Sequence, residues 1–110
     1  MVPVSKQAHF KFIFNQQTYF DNRYLRLFVS DPQGVNPAYA VIASKKLGSA
    51  VCRNRAKRQL KELLRRLSKD QRCLDKMMQY DCIWIIKRRF LGASFSLLQD
   101  SILNLMQRVR

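Results

Sequence analysis

The residues best placed to do chemistry in this chain are cations. Lys45, Lys46, Arg53, Arg55, Lys57, Arg58, Lys61, Arg65 and Arg66 share 22 residues with one acid, Glu62, so +8 of the net +14 lies in one segment. Solubility alone needs far less. A polyanion suits such a concentration, because each phosphate that a Lys or Arg neutralises releases a condensed counterion. A second group is aromatic. Phe10 and Phe14 are spaced one helical turn apart, and strand alternation puts Tyr24, Arg26 and Phe28 on one side of the chain. Rings stack on any unpaired base, and Arg26 among them would meet a phosphate. The plainer reading of the same residues is a second packed face.

The residues of a self-sufficient nuclease are missing from the pattern. Such an enzyme needs a His pair, or carboxylates converging on a metal ion, to activate water. Here His9 is the one histidine, and Asp21, Asp31, Glu62, Asp70, Asp75, Asp81 and Asp100 are scattered, most of them at expected turns or element ends. No catalytic side chain and no protein-bound metal are expected. Gly34, Gly48 and Gly92 are isolated, which excludes a glycine-rich phosphate loop. Cys52, Cys73 and Cys82 form no C-x-x-C pair and read as reduced thiols, with Cys52 and Cys82 packing as small hydrophobes; nothing flanking them supports a redox switch.

These groups need a scaffold, and 110 residues that are 47% hydrophobic supply one domain, residues 1–110, able to bury about two-thirds of its unfolded surface. No apolar run approaches the roughly 20 residues of a membrane span. The opening Met-Val-Pro-Val-Ser-Lys lacks the basic start and apolar stretch of a signal peptide, so a cytoplasmic location is expected. Ser5 is the expected cap of a first helix to Asn15. A strand from Tyr19 to Ser30 follows, with Leu25, Leu27 and Val29 facing the core. The Asp31-Pro32-Gln33-Gly34 turn leads to a strand from Tyr39 to Ser44, paired with the first as an antiparallel hairpin.

Ser49 then caps a long helix from Ala50 to Ser68. Cys52, Ala56, Leu60, Leu63, Leu64 and Leu67 occupy a sector of about 120°, the width of a core-facing stripe. Asn54, Lys57, Arg58, Lys61 and Arg65 point the other way, with Arg53, Arg55 and Arg66 at the borders. After a polar connection around Asp70 to Lys76, the run from Cys82 to Ile86 is apolar on both faces and reads as a central strand, with Trp84 in the core or a cleft wall. Gly92-Ala93-Ser94 opens a last helix whose core stripe is Phe95, Leu98, Ile102, Leu105 and Val109. The order is α-β-β-α-β-α with room for another short strand.

The stretch Ser44-Lys45-Lys46-Leu47-Gly48-Ser49-Ala50-Val51-Cys52-Arg53-Asn54-Arg55-Ala56-Lys57-Arg58 closely resembles the signature of the bacterial ribonuclease P protein component: Ser-Lys-Lys, a following Gly, then Arg-Asn-Arg-x-Lys-Arg on a helix. The Phe-x-x-x-Phe of the first helix, the strand around Phe28, the Asp81-led apolar strand and the final helix fall in the same order. The resemblance implies a small two-layer α-β sandwich of order α-β-β-β-α-β-α, with a left-handed βαβ crossover, similar to a domain of some ribosomal proteins. Composition gives no such handedness, and the ordinary expectation is the reverse.

The resemblance further implies the protein subunit of a ribonucleoprotein endoribonuclease that hydrolytically removes the 5′ leader of precursor tRNA. Its partners would be the catalytic RNA and precursor tRNA, with no membrane and no protein partner required, and Mg2+ would be held mainly by the RNA. Carried over by position, Lys45, Lys46, Arg53, Asn54, Arg55, Lys57, Arg58, Lys61 and Arg65 would contact RNA, and Phe10, Phe14, Arg26 and Phe28 would line a cleft for the single-stranded leader. Arg55 has a second reading, as a brace of the helix against its neighbours. Composition alone leaves open a structural ribosomal or other RNA-binding protein with no role in cleavage. A polybasic membrane-surface protein is disfavoured, because the Leu stripe behind the cations is needed for the core.

Overall fold

The computed structural model describes residues 2–109, so the terminal Met1 and Arg110 of the expected domain lie outside the described residues. The chain runs β1 (Val2–Pro3), α1 (Gln7–Asn15), β2 (Tyr19–Asp21), β3 (Leu25–Ser30), β4 (Ala38–Ile42), α2 (Ala50–Leu67), α3 (Gln71–Met77), β5 (Asp81–Ile86) and α4 (Phe95–Arg108), with 3-10 turns at Lys45–Leu47 and Arg88–Phe90. The five strands form one sheet in the order β1-β4-β5-β3-β2. β5 is central, parallel to β4 and antiparallel to β3, which explains why both of its faces are apolar.

Alternation divides the sheet into two unlike faces. Leu25, Leu27 and Val29 of β3 lie opposite Ile86, Trp84 and Cys82 of β5, and all six are buried with the stripe of α2, Met77 of α3 and the inner face of α4. Trp84 is therefore a core residue. The other face presents Phe28, Ile83 and Ile85, and among the described residues α1 is the one helix that crosses it, through the fully buried Ile13. Most of the helical mass sits on the first face, which leaves the second partly open.

Several expectations need correction. Lys6, not Ser5, is the N-cap of α1, and it makes no side-chain cap bond. The stretch from Tyr19 to Ser30 is two strands, because the Asn22 carboxamide oxygen accepts from the backbone N–H groups of Tyr24 and Leu25 and turns the chain there. β3 and β4 do not form a hairpin: β5 lies between them, since parallel pairing with β4 covers the second side of the apolar strand. The polar connection after α2 contains helix α3, whose N-cap Asp70 accepts from Arg72 and Cys73. Phe95, assigned to the core stripe of α4, is 46% exposed, whereas Leu98, Ile102, Leu105 and Val109 are buried. The long basic helix matches its reading closely, with the Ser49 hydroxyl accepting from the Cys52 N–H and five of the six stripe residues buried; Cys52 is half-buried.

Candidate nucleic-acid interface

α2 holds its cations in place by burying the opposite side. Ala56, Leu60, Leu63, Leu64 and Leu67 lock the helix register against the sheet, so Asn54, Arg55, Arg58, Lys61 and Arg65 are exposed and Lys57 is half-buried. Arg53 is also half-buried, and its Nε is shielded without a hydrogen-bond partner. Lys45 and Lys46 are exposed on the 3-10 turn that leads into the helix, and Arg88 donates to the Lys46 carbonyl at 2.9 Å, bringing a further cation beside them.

One acid interrupts this face. Glu62 accepts from Arg65 at 2.9 and 2.6 Å and from Arg66 at 3.1 Å. Arg65 and Arg66 hold the Glu62 carboxyl at about 2, well below the usual carboxylate range. Both partners are solvent-exposed, so these pairs shape the surface more than they stabilise the fold. Arg65 is thus tied to a neighbour, unlike the other exposed cations of the predicted set.

Phe10, Phe14 and Phe28 come together on the opposite sheet face, whereas Tyr24, which alternation grouped with Arg26 and Phe28, precedes β3 beside the Asn22 turn and packs against the main core instead. Phe10 and Phe14 stack along α1 with centroids 6.5 Å apart, and Phe14 meets Phe28 edge-on at 5.0 Å. The row continues to Tyr19, 5.3 Å from Phe28, and ends where the Arg26 guanidinium lies 4.9 Å over the Tyr19 ring. Strand pairing explains the row: Tyr19 opposes Phe28 and Asp21 opposes Arg26 between β2 and β3. Phe10, Phe14, Arg26 and Phe28 are all half-buried, and Tyr19 is 49% exposed. Sequence reasoning missed Tyr19, because treating residues 19–30 as one strand hid its position across from Phe28.

Arg26 is fixed by an ion pair to Asp21 at 3.2 Å, and Lys87 also meets that carboxylate. Burial pushes the Asp21 carboxyl up, but hydrogen bonds from Lys87 and Arg26 outweigh it and the net direction is down.

α1 is pinned over the sheet by a buried carboxylate. Asp81 is fully buried and accepts from the N–H groups of Ala38 at 2.7 Å and Gln33 at 3.2 Å, while His9 Nε2 lies 2.7 Å from its Oδ2. His9 is thereby committed to positioning the helix that carries Phe10 and Phe14. Sequence spacing gave no sign of this pair, 72 residues apart. Among the described residues no three His, Cys, Asp or Glu side chains converge, so the chain offers a metal ion no donor set of that kind. The three cysteines are free, and burial with nearby Asp81 pushes the Cys82 thiol up to about 12, which makes it inert as a nucleophile.

The sequence profile of the family described as Ribonuclease P matches residues 2–110. Among curated relatives, the ribonuclease P protein component of Clostridium kluyveri is 32% identical over 106 residues, covering 96% of this chain and 91% of that one. That of Carboxydothermus hydrogenoformans is 28% identical over 109 residues, covering 97% and 90%. Among solved structures, the RNase P protein of Thermotoga maritima superposes with a TM-score of 0.80 at 20% identity, covering 100% of this chain and 99% of that one. The Staphylococcus aureus protein gives 0.79 at 22% identity, covering 97% and 94%. At these identities the structures establish a shared fold.

Proposed function

We propose how this chain works from one premise: it belongs to the ribonuclease P protein family, and so is the protein subunit of a ribonucleoprotein endoribonuclease of tRNA processing that assembles with the ribonuclease P RNA and needs divalent metal. The α2 face, with Lys45 and Lys46 before it, is the surface that grips the RNA subunit. The cleft between α1 and the sheet holds the single-stranded 5′ leader of precursor tRNA. The metal is Mg2+, held mainly by RNA, and the assembly works in the cytoplasm.

The observation that carries this reading is the continuous row Phe10, Phe14, Phe28, Tyr19 and Arg26 on a sheet face that α1 covers only in part. A flexible strand is held there by stacking, which tolerates every base, and by a guanidinium at the end of the row, which meets phosphate. Sequence tolerance follows, and one cleft can serve many precursors. The α2 cations act differently: they neutralise phosphate over a broad surface, lowering the cost of bringing two RNAs and Mg2+ close together. Hydrolysis is then RNA chemistry that the protein supports by binding.

The test is precursor binding by the reconstituted holoenzyme carrying Phe14→Ala. Affinity for leadered precursor should fall while affinity for leaderless mature tRNA stays unchanged. Equal losses for both ligands would remove the leader from this cleft.

A further inference from the structure

Phe95 has the spacing of a core residue and the exposure of a surface one. It follows the Ser94 cap as the first residue of α4, and its ring is turned toward α2, where the Arg66 guanidinium lies 4.9 Å from the centroid. Glu62 fixes that guanidinium by accepting from its Nε at 3.1 Å. Beside the ring runs a groove of about 340 Å³ between α2 and the start of α4, with Arg58, Glu62, Leu63, Ala93 and Leu98 in its lining. That volume is within the range of small-molecule sites, about 300–1,000 Å³. The groove lies on the helical side of the sheet, away from the aromatic row.

We propose that this groove receives one unpaired base of the ribonuclease P RNA, stacked on Phe95, with Arg58 and Arg66 facing the flanking phosphates. Charge complementarity selects the occupant. The groove borders the cationic face of α2, its one carboxylate is already engaged by Arg65 and Arg66, and an exposed ring with guanidinium groups beside it is the pairing that holds single-stranded nucleic acid elsewhere. The proposal rests on the reading of α2 as the face that grips the RNA subunit. It adds a stacking contact, which is insensitive to salt, to a surface otherwise dominated by charge.

The experiment measures binding of the full chain to its RNA subunit across a salt series, for the wild type, Phe95→Leu, Phe95→Trp and Arg58→Ala, with thermal unfolding of each. Phe95→Leu keeps apolar cover over the groove but cannot stack. It should weaken binding about tenfold with an unchanged salt slope, and Phe95→Trp should restore affinity. Arg58→Ala should lower the magnitude of the slope by about 1. Wild-type affinity in Phe95→Leu, or a loss seen only with precursor tRNA, overturns the stacking site. If the Arg58→Ala slope still falls in that case, the cationic reading of α2 stands without the groove; if neither variant changes binding, the α2 reading fails as well.

Discussion

The cationic helix and the aromatic cleft occupy opposite sides of one sheet and are built by opposite means. Every cation of α2 comes from 18 consecutive residues, and a single stripe of buried side chains orients them all. The cleft takes Phe10 and Phe14 from α1, Tyr19 from β2, and Arg26 and Phe28 from β3, and its α1 wall is held by Asp81 of β5. A surface of the first kind survives local disturbance. One of the second kind depends on tertiary contacts, so the protein should lose leader discrimination before it loses RNA affinity.

The strongest way to break that contrast is to remove the carboxylate under α1. Asp81→Ala leaves the N–H groups of Ala38 and Gln33 and the His9 ring without their acceptor, at a cost of about 2–5 kcal/mol in chemical denaturation. Phe14→Ala comes next, with precursor binding weaker by about 1–3 kcal/mol and no effect on mature tRNA. Lys57→Ala, on the other surface, should lower the magnitude of the salt slope for RNA binding by about 1 and should act equally on leadered and leaderless substrates. A leader-specific loss in Lys57→Ala would merge the two surfaces into one.

The same contrast explains what the sequence made legible. α2 could be read almost residue by residue, because a 3.6-residue period, a Ser cap and a run of cations are all local signals. The aromatic cleft could be read in part: alternation placed Phe28 opposite the core set, and the Phe10 and Phe14 spacing marked one face of α1. Tyr19 was hidden, since its position follows from the turn at Asn22, where a side-chain oxygen replaces a partner strand. The order of strands was also hidden. Residues 25–30 and 38–42 look like hairpin arms, yet the pair separates because the apolar β5, nearly 40 residues further on, can be covered on both edges only by lying between them. His9 and Asp81 meet for a related reason: a buried carboxylate draws whatever donors the tertiary fold supplies. Nothing in the fold or the comparisons favours the ribosomal alternative that composition had left open.

The smallest expected effect concerns acid. Each surface has a carboxylate tied to two cations: Glu62 to Arg65 and Arg66 within one helix, and Asp21 to Arg26 and Lys87 across the fold. Both carboxyl groups are held below their ordinary values, so each stabilises the folded chain above its unfolded pKa and loses that contribution as pH falls through its folded value. For Glu62 the window runs from 4.5 down to about 2. Glu62→Gln should therefore flatten the fall in Tm over that window slightly, leaving precursor binding at neutral pH to the intact cleft. Asp21→Asn should also flatten the acid limb, but it frees Arg26 and Lys87 at the end of the aromatic row and should change leader affinity at neutral pH too. Thermal unfolding from pH 7 down to pH 2, run beside precursor binding at pH 7, separates the two. A Glu62→Gln variant that altered leader discrimination would show that the sheet transmits charge changes from one surface to the other, and the two could then no longer be treated as independent.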